Sequence, residues 1–384
     1  MRVDGEGRLS NASPAARAGA GGDATSKFSR HGAHSPAAGA GGDAPASPVN
    51  SACAVCAAGA EPRKSPAPAY TGAPLSVVFM GTPDFAATIL KRLPEADFLT
   101  VRAVYTRPDK PVGRGRKPGI SPVKALALEL SLPVFQPRSF IKGPDADAAA
   151  GPLLAGPAPD LLITAAYGLI LPRRVLDIPK LGAINVHASL LPLYRGAAPV
   201  HRALSDGVRC TGVSIMRMTE ALDAGPILMQ RAVAVAPNDT CGDLLEELAR
   251  EGADLLIECL QRLAAGSIRP VEQDAPRATF APKITDAECR ADFSLPASVL
   301  HNRIRGLHPR PGTYMILRRK DKDDLRVLAS PGIHPLTSAM RAFLEHKRGT
   351  ASPADAAGSI IGLADGALLV ACGDGAYGFT RLRP

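Results

Sequence analysis

Asn185 and His187 stand two residues apart in the stretch INVHASLLPLYRGAAP (184–199), inside an otherwise apolar run. Side chains of a strand alternate faces, so residues two apart point the same way. An amide so placed can donate to an oxygen that is gaining negative charge, and an imidazole can move a proton near neutral pH. Asp223, in ALDAGP, is a carboxylate that could orient or charge that imidazole. These are the residue types of acyl transfer. They equally suit a strand end whose polar groups face water, and spacing alone does not choose between the two.

A second group of side chains is basic. TRPDKPVGRGRKPG (106–119) carries Arg107, Lys110, Arg114, Arg116 and Lys117 against the single acid Asp109, with three prolines and three glycines. Most charge runs are solvated loops. This one follows a strand, near what would be the carboxyl edge of a sheet, and that position favours contact with phosphates.

The elements that must position these groups follow from pattern. LSVVFMGTPDF reads as a buried strand from Leu75 that turns at Gly81, and AATILKRL continues as a helix. LTVRAVYT is a second strand; SPVKALALEL is a helix with Ser121 as N-cap and Pro122 at its first position. LPVF, DLLITAAYG and GAINVHA are further short apolar strands. The alternation predicts an α/β fold with a doubly wound, parallel sheet. Such sheets bind ligands beyond the carboxyl ends of their strands, where Asn185 and His187 fall. Gly81 is a single glycine where a dinucleotide site would want GxGxxG, which disfavours a nicotinamide cofactor.

From Gly212 the character changes. GVSIMRM and ILMQRAVAVA read as strands, and a long amphipathic helix starts near Thr240. SIRPVEQDAPRATFAPKIT has no periodicity and reads as a linker, and the remainder has short strands between Gly-rich turns, as in a small antiparallel barrel. The expected division is a low-complexity tail over 1–74, a catalytic domain over 75–267, a linker over 268–287 and a C-terminal domain over 288–384. The tail is Ala, Gly, Ser and Pro with little to bury, so disorder is expected there.

Composition sets outer limits. Apolar residues make up 46% of the 384, enough for a core, although aromatics are only 4% and Trp is absent. No apolar run approaches the roughly 20 residues of a membrane helix. The net charge of +9 is compatible with an anionic partner. Seven scattered cysteines suggest reduced thiols and a cytoplasmic protein. The N-terminus lacks the apolar core of a signal peptide, and Asp4, Glu6, Asp23 and Asp43 are unlike a transit peptide.

FMGTPDFA, SPVKALA, AYGLILP, INVHASLLPLYRGAAP and ALDAGPIL occur in this order, and together they resemble the methionyl-tRNA formyltransferase family from about Leu75 to the C-terminus. The resemblance implies a Rossmann-like formyltransferase domain joined to an OB-like β-barrel. It implies transfer of formyl from 10-formyltetrahydrofolate to the α-amine of methionyl initiator tRNA, without a metal, by a cytoplasmic monomer. Asn185, His187 and Asp223 take the catalytic positions, and the turn Ser189, Leu190, Leu191, Pro192 takes the folate contact. Lys110, Arg114, Arg116 and Lys117 take the tRNA acceptor end, with Arg114 in the Gly-Arg-Gly of the loop. The barrel, with cations such as Arg303, Arg305 and Arg326, is expected on the tRNA backbone. Family members usually continue past the last strand, whereas this chain ends at GFTRLRP, a difference that bears on barrel closure and on C-terminal tRNA contacts. A formyltransferase acting on glycinamide ribonucleotide or an amino sugar nucleotide would share the Asn, His and Asp but not the basic loop and separate basic barrel. An inactive RNA-binding protein would lack the three polar residues.

Overall fold

The computed structural model describes residues 2–3, 9–10, 70, 72–112, 117–141, 146, 148–154, 156–319, 321–348 and 357–384. Of the tail expected to be disordered, Arg2–Val3 and Leu9–Ser10 form a short antiparallel pair; the expectation for most of residues 1–74 lies outside the described residues.

The N-terminal half of the described residues is built on one seven-stranded sheet. Its strands are β1 (Leu75–Gly81), β2 (Leu99–Tyr105), β3 (Val134–Phe135), β4 (Leu161–Ala165), β5 (Ala183–His187), β6 (Cys210–Arg217) and β7 (Ile227–Ala234). They lie side by side in the order β7-β6-β5-β4-β1-β2-β3. Strands β1 to β5 are mutually parallel, as the alternation predicts. Strands β6 and β7 extend the sheet antiparallel, so it is mixed.

Period-two alternation sends the side chains to two cores. Val77 and Phe79 of β1, Ile163 of β4, and Ile184 and Val186 of β5 face one cluster, which α1 (Asp84–Arg92) and the long α4 (Cys241–Ala264) cover. Val78, Met80, Leu162 and Ala183 face the other. Helix α2 (Pro122–Glu129) begins as its sequence indicates, with the Ser121 hydroxyl accepting from Lys124 N and Pro122 in the first turn. Helix α4 has a full capping box between Thr240 and Asp243. A short α3 (Pro199–Ser205) follows the stretch that carries Asn185 and His187.

The C-terminal half is a small β domain. Its strands are β8 (Thr313–Arg319), β9 (Lys322–Ala329), β10 (Ile360–Ala364), β11 (Ala367–Cys372), β12 (Gly375–Phe379) and β13 (Leu382–Arg383), in two three-stranded antiparallel sheets. Phe293, Met315, Val327, Tyr377 and Phe379 share its core with Leu300 and Ile304 of α5 (Ala297–Leu307). The other face of α5 meets the half that holds the seven-stranded sheet. There Arg305 donates to the carbonyls of Ala236 (3.2 Å) and Asp239 (3.0 Å), and His301 Nε2 reaches Pro237 O at 3.2 Å. Arg305 is thus spent inside the molecule and is withdrawn from the basic surface. A further helix, α6 (Ser338–Arg348), packs on the sheet of β10 to β12.

Cys241, Cys259 and Cys372 are free and buried, and burial pushes their thiols up to about 12, so they behave as inert core residues. Cys210, at the start of β6, is disulfide-bonded, so the fully reduced set expected from the scattered spacing does not hold at that position. No helix among the described residues is long and apolar enough to cross a membrane.

Candidate active site

Strand β5 turns Ile184 and Val186 toward α4, so Ala183, Asn185 and His187 share the opposite face. The β4–β5 register puts Thr164 beside Asn185, and the β5–β6 register puts Ser214 beside His187. The Thr164 hydroxyl has one hydrogen, and the shortest of its three contacts is Asn185 Oδ1, at 2.8 Å. Donation there holds the carbonyl end of the amide and leaves its NH2 group as the working end.

His187 is buried, with 6% of its side chain exposed. Its Nε2 lies 2.9 Å from the Tyr194 carbonyl oxygen, an acceptor only, so Nε2 carries a hydrogen. Nδ1 faces Asp223 Oδ2 at 3.7 Å, beyond a hydrogen bond but within ion-pair distance. A proton arriving on Nδ1 therefore meets a carboxylate. Asp223 reaches this place from the β6–β7 loop, with φ of 48°, a left-handed conformation that Asp tolerates better than most residues. Its Oδ2 also accepts from Gly196 N at 2.8 Å. The three residues singled out from sequence are thus brought to one place.

The turn after β5 is built from its own residues. Ser189 is fully buried; its hydroxyl donates to Leu193 O at 2.6 Å, and its carbonyl accepts from Ser214 Oγ at 2.6 Å. The same Ser214 oxygen accepts from Leu191 N, and Gln230 Nε2 donates to Leu191 O at 2.9 Å. The Leu191–Pro192 peptide is cis. Ser189 and Leu191 are interior parts of the turn, while Leu190 and Pro192 are only half-buried.

Of the basic loop, Lys110 is exposed and pairs with Gly119 in a small hairpin, in which Lys117 pairs with Val112. Arg114 and Arg116 lie outside the described residues. At the foot of this hairpin Lys124 pairs with Asp109, holding its carboxyl below the usual carboxylate range; Gln136 adds a second hydrogen bond. Among the described residues there is no cluster of three or more His, Cys, Asp or Glu suited to a metal.

Several site-forming residues escape the sequence pattern. Thr164 works from a neighbouring strand. Thr279, Gln273 and Ala281 come from the segment that reads as a linker, which lies along the 192–198 loop. Tyr194 N donates to Thr279 Oγ1 at 2.8 Å, Arg195 N to Thr279 O at 2.8 Å, and Ala281 N to Arg195 O at 2.7 Å. The three prolines of this segment, Pro270, Pro276 and Pro282, signal its lack of helix; nothing in its composition signals these partners.

Comparison with known proteins places this geometry in a family. The formyl transferase family model matches residues 75–260, and the model for the formyl transferase C-terminal domain matches residues 283–384. The methionyl-tRNA formyltransferase of Nitratidesulfovibrio vulgaris (strain Hildenborough) is 46% identical over 313 residues, 81% of this chain and 89% of its own length. That of Pseudomonas fluorescens (strain Pf-5) is 43% identical over 81% and 89%, respectively. Among solved structures, HypX from Aquifex aeolicus in complex with tetrahydrofolic acid superposes with a TM-score of 0.52 at 16% identity, over 80% of this chain and 44% of that one. A 4-N formyltransferase from Francisella tularensis gives 0.52 at 13% identity, over 68% and 100%. These two likenesses are of fold. Extent and identity in the curated relatives decide membership: the chain belongs to the formyl transferase family, among the methionyl-tRNA formyltransferases.

Proposed function

We propose that this protein transfers the formyl group of 10-formyltetrahydrofolate to the α-amine of methionine esterified to initiator tRNA, as a cytoplasmic monomer serving translation initiation. The observation that carries the reading is the joint placement of the Asn185 amide, the His187 imidazole and the Asp223 carboxylate at the carboxyl edge of the sheet.

In the reaction the amine nitrogen bonds to the formyl carbon, the bond from that carbon to folate N10 breaks, and one proton passes from the amine to N10. Free α-amines titrate near ~8, and the neighbouring ester lowers that further, so the nucleophile needs little activation. The harder demands are an oxygen that becomes anionic and a proton that must move. The Asn185 NH2, its carbonyl held by Thr164, suits the first. His187 suits the second at Nδ1, because Nε2 is occupied by Tyr194 O. Asp223 balances the charge that His187 acquires.

The half-buried Leu190 and Pro192 and the backbone of their turn are the folate contact in this reading. Ser189 contributes by folding the turn. Lys110, Arg114, Arg116 and Lys117 take the acceptor-stem phosphates. The test is formyl transfer from 10-formyltetrahydrofolate to initiator Met-tRNA, with elongator Met-tRNA and small amines as controls. Transfer to the initiator form well above both controls is expected; equal transfer to a small amine would overturn the tRNA assignment.

A further inference from the structure

The position of Asp223 is fixed by a ring of hydrogen bonds that closes through the linker. Gln273 is the link. Its Nε2 donates to Asp223 O at 2.9 Å and to Gly225 O at 2.7 Å. Its Oε1 accepts from Arg195 Nε at 3.0 Å and Arg195 Nη2 at 2.7 Å. Both hydrogens and both lone pairs of the amide are therefore used. Arg195 is itself buried, and the next residue, Gly196, donates its N–H to Asp223 Oδ2. The backbone oxygen and the carboxylate of Asp223 are thus held by one assembly. The residue before Arg195 is Tyr194, whose carbonyl holds His187 Nε2.

We propose that Gln273 is a positioning residue for the reaction: by tying Asp223 O to the Arg195 side chain, it sets the separation of the Asp223 carboxylate from His187. The inference rests on the catalytic reading of Asp223 given above. A glutamine is required because the link needs two donors on one side and an acceptor on the other. Glutamate would keep Arg195 as an ion pair while placing a carboxylate oxygen against two carbonyls. Asp223 in its left-handed conformation would then lose the bond that offsets its backbone strain.

The test is steady-state formyl transfer by the full-length chain and its Gln273→Glu variant, each with Asp223 intact and with Asp223→Ala. With Asp223 present, Gln273→Glu is expected to lower kcat on the order of 100-fold, the cost of misplacing a reacting group by about 1 Å, with KM for folate and tRNA unchanged. With Asp223→Ala already in place, the same change is expected to cost little more. An equal loss in both backgrounds, or a rise in KM in place of the fall in kcat, would overturn the proposal, because Gln273 would then serve the linker alone. If Asp223→Ala is itself harmless while Gln273→Glu is not, the catalytic reading of Asp223 fails, and the inference built on it goes too. Gln273→Met, which removes both kinds of partner without adding charge, repeats the measurement if the glutamate variant does not fold.

Discussion

His187 is gripped at one nitrogen and faces a carboxylate at the other, so its ring is held in one orientation. Asn185→Ala, His187→Ala and Asp223→Ala are each expected to lower kcat on the order of 100-fold or more, with melting temperatures close to that of the native chain. In the proposed reaction the three act on one transition state, so double replacements should cost far less than the product of the singles. Kinetics on the singles and pairs check this; multiplicative losses would return them to the role of polar residues at a strand end. Two of these residues are legible in the sequence because a strand's period of two is a local property. Asp223 can be named as a carboxylate able to orient the imidazole, but spacing does not reveal its approach, which depends on a loop 36 positions further along the chain than His187. Thr164 and Gln273 are not legible at all. Their roles arise from strand register and from a contact across 50 positions, neither of which leaves a mark on the local pattern.

Among elements, the 192–198 loop and the linker pass close together at Gly196. Its φ is 125°, and a methyl group there would stand 2.7 Å from Ala281 O. Gly196→Ala should therefore lose about 1–3 kcal/mol of stability, seen as a lower melting temperature, and also turnover, because the amide that holds Asp223 moves with it. The basic hairpin makes a different demand. Neutralising Lys110, Arg114, Arg116 and Lys117 should weaken Met-tRNA affinity, flatten its log–log salt dependence by roughly 0.7 to 0.9 per lost phosphate contact, and leave KM for folate unchanged. Arg114→Lys should already be harmful, since a guanidinium can fix a phosphate through two parallel bonds, whereas Lys117→Arg should be mild. Titrations across a salt series decide it; an unchanged slope would return the run to a solvated loop. The parallel strands were readable from apolar runs and turn glycines. The reversed direction of β6, which makes its pairings with β5 and β7 antiparallel, was not, because a buried run reads the same either way along the chain.

For the whole molecule, the two halves meet through groups that titrate in acid. His301 spans the junction between Pro237 O and the Tyr377 hydroxyl, and burial, with Arg305 and His334 nearby, pushes its imidazole down from 6.5 to about 4. The unfolded chain therefore takes up this proton first, so stability is complete above 6.5 and falls as the pH drops from 6.5 toward 4. Glu288 is held down from 4.5 to about 2, chiefly by its hydrogen bonds with Arg202 of α3 and secondarily by Thr285. Its contribution is present above 4.5 and is lost as the pH falls toward 2. Melting temperature against pH should thus decline in two successive windows, and His301→Gln should flatten the upper one. An unaltered upper slope in that variant would move the effect to His201, His308 or His334, whose imidazoles burial also pushes down.

The course of residues 271–281 along the loop that follows β5 has a consequence for recombining relatives of this protein. A chimera joined near residue 268 would take Gln273 and Thr279 from one parent and Arg195, Gly196 and Asp223 from the other, so mismatched halves would meet inside the reaction centre although every catalytic side chain came from a single donor. Moving the crossover beyond Ala281 keeps those partners together; the seam at which Arg202 meets Glu288, and His301 and Arg305 meet the 236–239 loop, then remains to be reconciled.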